Sequence, residues 1–338
     1  MDSQAQEVSG AEWPKTSQSK ECAILLLGFN RPDLLQEAIK RLKDFGYSNL
    51  WISIDGPRPG NVKDRAGYGY CGEIAIREQE DPLKRHISPV NKGCRDGVIE
   101  GISWFFKNNR EGIILEDDVE IGSEYMEIMA GMLKYYRSNK RIWSISSHCD
   151  PVDAQGQGEY LRFYQSDLCR VGYGWASWAD RWEEHRTWLE RNSKVGRIRT
   201  FTRLPRGVRT KDFCLKIYAC RKGHMDAWDY EWNLSHLRNR SRSITPLAIC
   251  GINHGFRKDG THTHSCPPPW TKVSRWKQES RYLVYGDWFH VDRELLYSNC
   301  GIVTSSSWSV ELISLIWYLV YNKIAAPVRK AKWRLKRG

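Results

Sequence analysis

The chain has 338 residues, of which 41% are hydrophobic and 27% charged, so it is long enough for one large domain or two modest ones with a sizeable core. Those fractions place it with ordinary globular proteins. The formal net charge of +12 invites a polyanionic partner, but the sequence has no zinc-finger spacing, no basic-region heptads and no RNP-like aromatic strand, so nucleic acid is not an expected partner.

Ten cysteines form no CxxC pair and no regular frame, and residues 1–20 are polar without an apolar core. Reduced thiols and a cytoplasmic setting are the expectation. No segment has the length needed to span a bilayer. Tryptophan is the outlier, with 16 copies; flat indoles serve sugar sites and cores alike.

Residues 1–20 read as a loose polar tail. An apolar run at 22–27 has strand length, and Gly28-Phe29-Asn30-Arg31-Pro32 turns into a helix, with proline tolerated in the first turn. Leu34, Leu35, Ala38, Ile39 and Leu42 recur at helical spacing, and 50–54 is a second strand ended by Asp55-Gly56-Pro57. Strand, helix, strand at this pitch is a unit of a parallel sheet, where ligands bind beyond the carboxyl ends of the strands. Residues 60–80, rich in Gly and Tyr, are predicted to be a mobile loop over the site. Asn91-Lys92-Gly93-Cys94 opens an amphipathic helix carrying Val98, Ile99, Ile102, Phe105 and Phe106.

Residues 112–121 are the centre of the chain. Ile113, Ile114 and Leu115 suit a strand buried on both faces, and the run stops at Glu116, Asp117 and Asp118. Three adjacent carboxylates at a strand mouth repel one another and lose solvation, so a cation should sit among them. Hard oxygen ligands suit Mg²⁺ or Mn²⁺; a solvated acidic turn is the plain alternative. A helix over 125–136 and a strand over 141–146 follow. Trp175, Trp178 and Trp182 then stand at i, i+3 and i+7 behind Gly172 and Gly174, which predicts a close-approach loop entering a helix. The basic stretch 194–211 reads as a surface loop. Asp226, Asp229 and Glu231 open a helix, a strand is expected over 244–249, and Asn253, His254, His262 and His264 follow.

The Leu-Glu-Asp-Asp block resembles the metal motif of GT-A glycosyltransferases, especially the N-acetylglucosaminyltransferase-I-like and bacterial polysaccharide-type members. The resemblance runs from about residue 21 to 263. It extends to the Gly-Phe-Asn-Arg-Pro turn, the Gly-Trp-Ala-x-Trp segment, Trp-Asp-x-x-Trp at 228–232, and Asn-x-Gly-Phe with Asp-x-Thr-His-Thr at 253–263. His254 and the Arg257-Lys258 pair depart from the pattern, and Glu-Asp-Asp replaces the commoner Asp-x-Asp. The resemblance implies an α/β, mostly parallel, Rossmann-like sheet flanked by helices, over residues 21–300. Beyond the resemblance, residues 301–338 are expected to form a C-terminal helical appendage.

By the same resemblance, Asp118 and His262 hold Mn²⁺ or Mg²⁺, and Glu116 and Asp117 contact ribose or sugar. Asn30, Arg31, Asp55, Asn91, Gly93 and Trp175 line the donor pocket. The implied activity is an inverting transfer of sugar from a nucleotide diphosphate, most simply UDP, to a hydroxyl on a glycan or lipid-linked acceptor. Inversion needs a carboxylate base on an element separate from the metal motif, and the indole-flanked Asp229 is the first choice, Glu231 the second. A sugar-nucleotide nucleotidyltransferase and a catalytically dead carbohydrate-binding protein are the alternatives. Residues 310–321 are almost wholly apolar, and from residue 322 onward there are seven basic residues and no acidic one. This pattern suits the surface of an anionic membrane, with a packed terminal helix as the competing reading.

Overall fold

The computed structural model describes residues 19–148, 160–191, 225–246, 249–255 and 281–284, together with Cys220. His262, the basic stretch 194–211 and the apolar stretch 310–321 lie outside the described residues. The described chain falls into two compact units: one within Met1–Glu184 and Ser241–Phe289, the other within His185–Arg240 and His290–Gly338.

The first unit is an α/β structure on a nine-stranded sheet among the described residues. Its strands are β1 (Ile24–Gly28), β2 (Leu50–Ile54), β3 (Arg85–Ile87), β4 (Glu111–Glu116), β6 (Ile142–Ser146), β7 (Tyr160–Ser166), β8 (Trp175–Trp178), β9 (Arg242–Pro246) and β11 (Arg281–Val284), in the order β11-β7-β9-β6-β8-β4-β1-β2-β3. Pairing directions run β1, β2, β3, β4, β6 and β9 one way and β7, β8 and β11 the other, so the sheet is mostly parallel. A separate ribbon pairs β5 (Val119–Ile121) with β10 (Gly251–Asn253). The central strands are buried on both faces, and Leu26 of β1 lies opposite Ile52 on one side and Leu115 on the other.

Helix α1 (Pro32–Asp44) follows its sequence pattern closely. Proline presets the first turn, Asp33 and the Arg41–Lys43 end complement the dipole, and Leu35, Ala38, Ile39 and Leu42 face the sheet. It stops at Gly46, whose φ of 85° lets Tyr47 N–H reach the Leu42 carbonyl at 3.0 Å and Gly46 N–H reach Lys43 at 2.8 Å. Helices α3 (Gly93–Asn108) and α4 (Ser123–Tyr136) bury Ile99, Ile102, Phe105 and Phe106, and Tyr125, Met126, Met129 and Leu133.

Three expectations are corrected. Residues 60–80 are not a loop over the site: helix α2 (Val62–Glu78) fills that span, capped by Asn61, which accepts from Asp64 N–H at 3.1 Å. Its glycines hid the periodicity of Asp64, Cys71, Ile74 and Ala75, all buried. Gly67 is needed there, because a Cβ would lie 2.2 Å from the Asn30 carbonyl oxygen. The tryptophan segment is a strand before it is a helix. Gly174, at φ 89°, turns the chain into β8, and α5 (Ala179–Arg191) starts directly afterwards. The strand expected at 244–249 is β9, displaced toward the N-terminus.

In the second unit, α6 (Asp229–Asn239) buries Trp232, Leu234 and Leu237, and Arg240 closes it in the left-handed region at φ 50°. His185 Nδ1 lies 2.7 Å from Ser235 Oγ, edge-on to Trp232. No helix among the described residues is long and apolar enough to cross a membrane.

Candidate functional site

The chain lays β2 and β3 on one side of β1 and then returns to place β4 on the other. Strand order reverses between β1 and β4, and in open parallel sheets ligands bind outside the carboxyl ends of the strands at such a point. Arg31 follows β1 there, and Asp117 and Asp118 follow β4. The ladder continues past the strand ends: Asp117 N–H donates to Leu27 O at 2.8 Å and Asp55 N–H to Gly28 O at 3.1 Å. Both acidic positions are thereby fixed beside Gly28.

Arg31 supplies the cation that the carboxylate cluster requires. Its guanidinium donates to both oxygens of Asp117 and, at 2.8 Å, to Asp118 Oδ2. The bridge is enclosed, with Asp117 4% and Asp118 6% exposed. Burial pushes the Asp117 carboxyl up to about 7 against the pull of Arg31, and the charge on Asp118 adds to the rise. Burial also works against the Arg31 charge, but the two carboxylates hold that group above its ordinary value.

Asp118 is held from a second side. Its carbonyl accepts from His254 N–H at 2.7 Å, and a Cβ on Gly255 would lie 2.2 Å from Asp118 Oδ2, so glycine is required for this approach. His254 Nε2 in turn lies 2.9 Å from Glu120, and Asn253 Nδ2 donates to Gly172 O at 3.0 Å. One atom remains over. Asp118 Oδ1 is buried and has no hydrogen-bond partner among the described residues.

Asp55, Asn91 and Gly93 also come together. Asp55 accepts from the N–H groups of Gly56 (2.9 Å), Lys92 (3.0 Å) and Gly93 (3.1 Å) and from Asn91 Nδ2 (3.0 Å). Burial raises its pKa, and those backbone donors pull it back. With so many acceptor positions used, Asp55 shapes the turn at the head of α3, and contact with a base or ribose would have to displace these bonds.

Asn30 donates to Asp64 at 2.7 Å. Asp64 also accepts from Arg58, whose hydrogen bond is the main cause lowering the Asp64 pKa. Arg58 lies over the Phe29 ring at 5.6 Å. Sequence reasoning missed Asp64 and Arg58; the signal was the Asn61-x-x-Asp64 cap inside a stretch read as loop.

Glu116 is half-buried at the end of β4. Trp175 is 1% exposed, with its ring 6.4 Å from that of Trp182. Trp178 and Trp182 are buried too and donate to Leu133 O and Ser103 Oγ, each at 3.0 Å. These indoles pack the core rather than line a cleft. In the second unit, Asp229 is the half-buried first residue of α6, and Glu231 is 2% exposed within it. Asp226 precedes the helix and so does not share a helix face with Asp229.

A divalent ion needs oxygen ligands, and Mg²⁺ in particular takes one or two carboxylates with substrate phosphates completing the shell. Among the described residues no three acidic, His or Cys side chains form a ready-made cage. Asp117 is committed to Arg31, whereas the unpartnered Asp118 Oδ1 fits a monodentate ligand. No protein-family model matches this sequence, and comparison with curated proteins found no match.

Proposed function

We propose that this chain is an inverting glycosyltransferase of the GT-A kind, moving a sugar from a nucleotide diphosphate, most simply UDP, to a hydroxyl acceptor on a glycan or lipid-linked saccharide. One observation carries the reading. A buried carboxylate oxygen, Asp118 Oδ1, has no hydrogen-bond partner among the described residues and lies at the carboxyl end of β4, where the strand order reverses. An unmade bond on a buried acceptor costs about 1–3 kcal/mol, and a bound cation or donor removes that cost.

Asp118 Oδ1 is the ligand for Mn²⁺ or Mg²⁺ in this reading, with His262 as the expected second. When bound there, such an ion would supply positive charge to the departing diphosphate. Arg31 holds Asp117 and Asp118 Oδ2 in place, so that Oδ1 keeps one orientation. The Asp55-centred turn and the Asn30–Asp64 bond order the chain beyond the strand ends on the β2 side. Asp229 is assigned as the base that takes the acceptor proton. An apolar and basic stretch after residue 310 suits an enzyme acting on a lipid-linked acceptor at the cytoplasmic face of a membrane.

A thermal-shift screen of nucleotides with and without Mn²⁺ tests the reading. Stabilisation by UDP that requires the metal supports it. A preference for triphosphates supports a nucleotidyltransferase instead, and no response to any nucleotide contradicts both.

A further inference from the structure

The rim that carries Asp118 continues past it. Strand β6 is antiparallel to β8, which is antiparallel to β4, so β6 runs parallel to β4. Ser147 and His148 therefore emerge at the same end of the sheet as Asp117 and Asp118. Two strand spacings separate the two exits, about 10 Å. The link between them is continuous. Asp118 O holds His254, neighbouring Asn253 reaches Gly172 O, Ser147 N–H donates to Gly174 O at 3.2 Å, and Cys250 N–H donates to Ser147 O at 3.0 Å.

His148 is unusual on this rim. It is 4% exposed, and its Nδ1 is buried with no hydrogen-bond partner among the described residues. Its ring stacks on the half-buried Tyr173 at 3.8 Å and 9°, which fixes the plane in which Nδ1 points. Burial, with Arg170 nearby, pushes the imidazole down to about 3, so the ring stays neutral through the physiological range. Such a ring is a poor proton acceptor for catalysis and carries no charge with which to hold a phosphate. A neutral nitrogen held in a fixed plane beside an aromatic face is suited to an uncharged hydroxyl-bearing ring.

We propose that His148 Nδ1 forms a hydrogen bond with a hydroxyl of the sugar bound beside the Asp118 site, with Tyr173 holding the imidazole in register. The assignment rests on the nucleotide-sugar reading above and adds a subsite to it.

Two variants separate the nitrogen from the stack. His148→Phe keeps a ring on Tyr173 and removes the nitrogen. His148→Asn removes the ring and keeps a polar atom near the Nδ1 position. Calorimetric titration of UDP, UDP-glucose and UDP-N-acetylglucosamine, each with Mn²⁺, is compared across wild type and both variants. UDP affinity should be the same in all three proteins. UDP-sugar affinity should fall roughly tenfold in His148→Phe, the worth of one such bond, and recover in His148→Asn.

A second arm titrates methyl glycosides into the UDP-saturated proteins. A loss confined to this arm supports the proposal and assigns the hydroxyl to the acceptor ring. Unchanged affinities in both arms, or a loss in His148→Asn with normal binding by His148→Phe, overturn it in favour of a packing role. An equal loss of UDP affinity also overturns it. Failure of the wild type to bind UDP overturns the nucleotide-sugar reading itself, and the subsite with it.

Discussion

Replacing Arg31 by Met removes the counterion and keeps most of the side-chain volume. Asp117 and Asp118 then face each other inside the protein, at side-chain exposures of 1% and 7%. Breaking a buried pair by deleting one partner costs roughly 3–5 kcal/mol, because the remaining charge is uncompensated. The lower end applies here: the Asp117 carboxyl already titrates at about 7, so it takes up a proton at little cost.

That titration also fixes the pH dependence. At pH 8 wild-type Asp117 is mostly ionised and Arg31 balances two carboxylates; at pH 5 Asp117 is protonated and Arg31 balances Asp118 alone. The loss should be about 3 kcal/mol at pH 8 and roughly half of that at pH 5. In the wild type the sign is the same. An acid whose folded pKa lies above its unfolded value of about 3.9 binds more protons when folded, so its contribution to stability falls as pH rises from about 4 to 7. Urea unfolding followed by tryptophan fluorescence measures both losses. Asp117→Asn supplies the background in which Arg31→Met should cost less. A loss under about 1 kcal/mol at pH 8, or one that does not depend on pH, refutes the account of the bridge.

Gly67→Ala forces a Cβ to 2.2 Å from a backbone oxygen and should destabilise by about 1–2 kcal/mol, whereas Gly69→Ala, with nothing within 4 Å, should stabilise by ~0.5–1 kcal/mol. Thermal melts of the two variants decide it, and equal shifts contradict the packing of α2 on Asn30. Asp55→Ala strands three backbone N–H groups and should cost about 2 kcal/mol or more, with faster amide exchange at Lys92 and Gly93 as the local signature. Asp229→Asn should slow transfer by roughly 10²–10⁴ while UDP affinity is kept. Near-normal turnover there, with Glu231→Gln inactive, moves the base to Glu231.

The parallel core was legible because its signals are local. Buried strands read as apolar runs, and α1 carries its proline, its stripe and its glycine stop within fifteen residues. Strand β2 has the bounds its sequence indicates. Helix α2 was not legible, since its buried face includes an aspartate and a glycine whose value lies in contacts 34 and 37 residues away, Asp64 with Asn30 and Gly67 with Asn30. The tryptophans pointed to a cleft because an indole suits a sugar and a core equally; burial separates the two, and spacing does not. The carboxylate cluster was legible as residue types but not as partners. The need for a cation among the carboxylates follows from charge alone, whereas its supply by Arg31, 86 residues earlier, follows only from the β1–β4 pairing. His148 gave no sequence signal beyond its place after a strand.

The central claim is that Asp118 Oδ1 anchors a metal-dependent nucleotide site, and calorimetric titration of UDP into wild type and Asp118→Asn, each with Mn²⁺ and with EDTA, tests it most directly. The account predicts that the wild type binds UDP with Mn²⁺ and not with EDTA. Asp118→Asn, with its fold verified by circular dichroism, should lose at least about tenfold in affinity. Equal binding of UDP with and without metal, or an Asp118→Asn protein that binds as the wild type does, would contradict it.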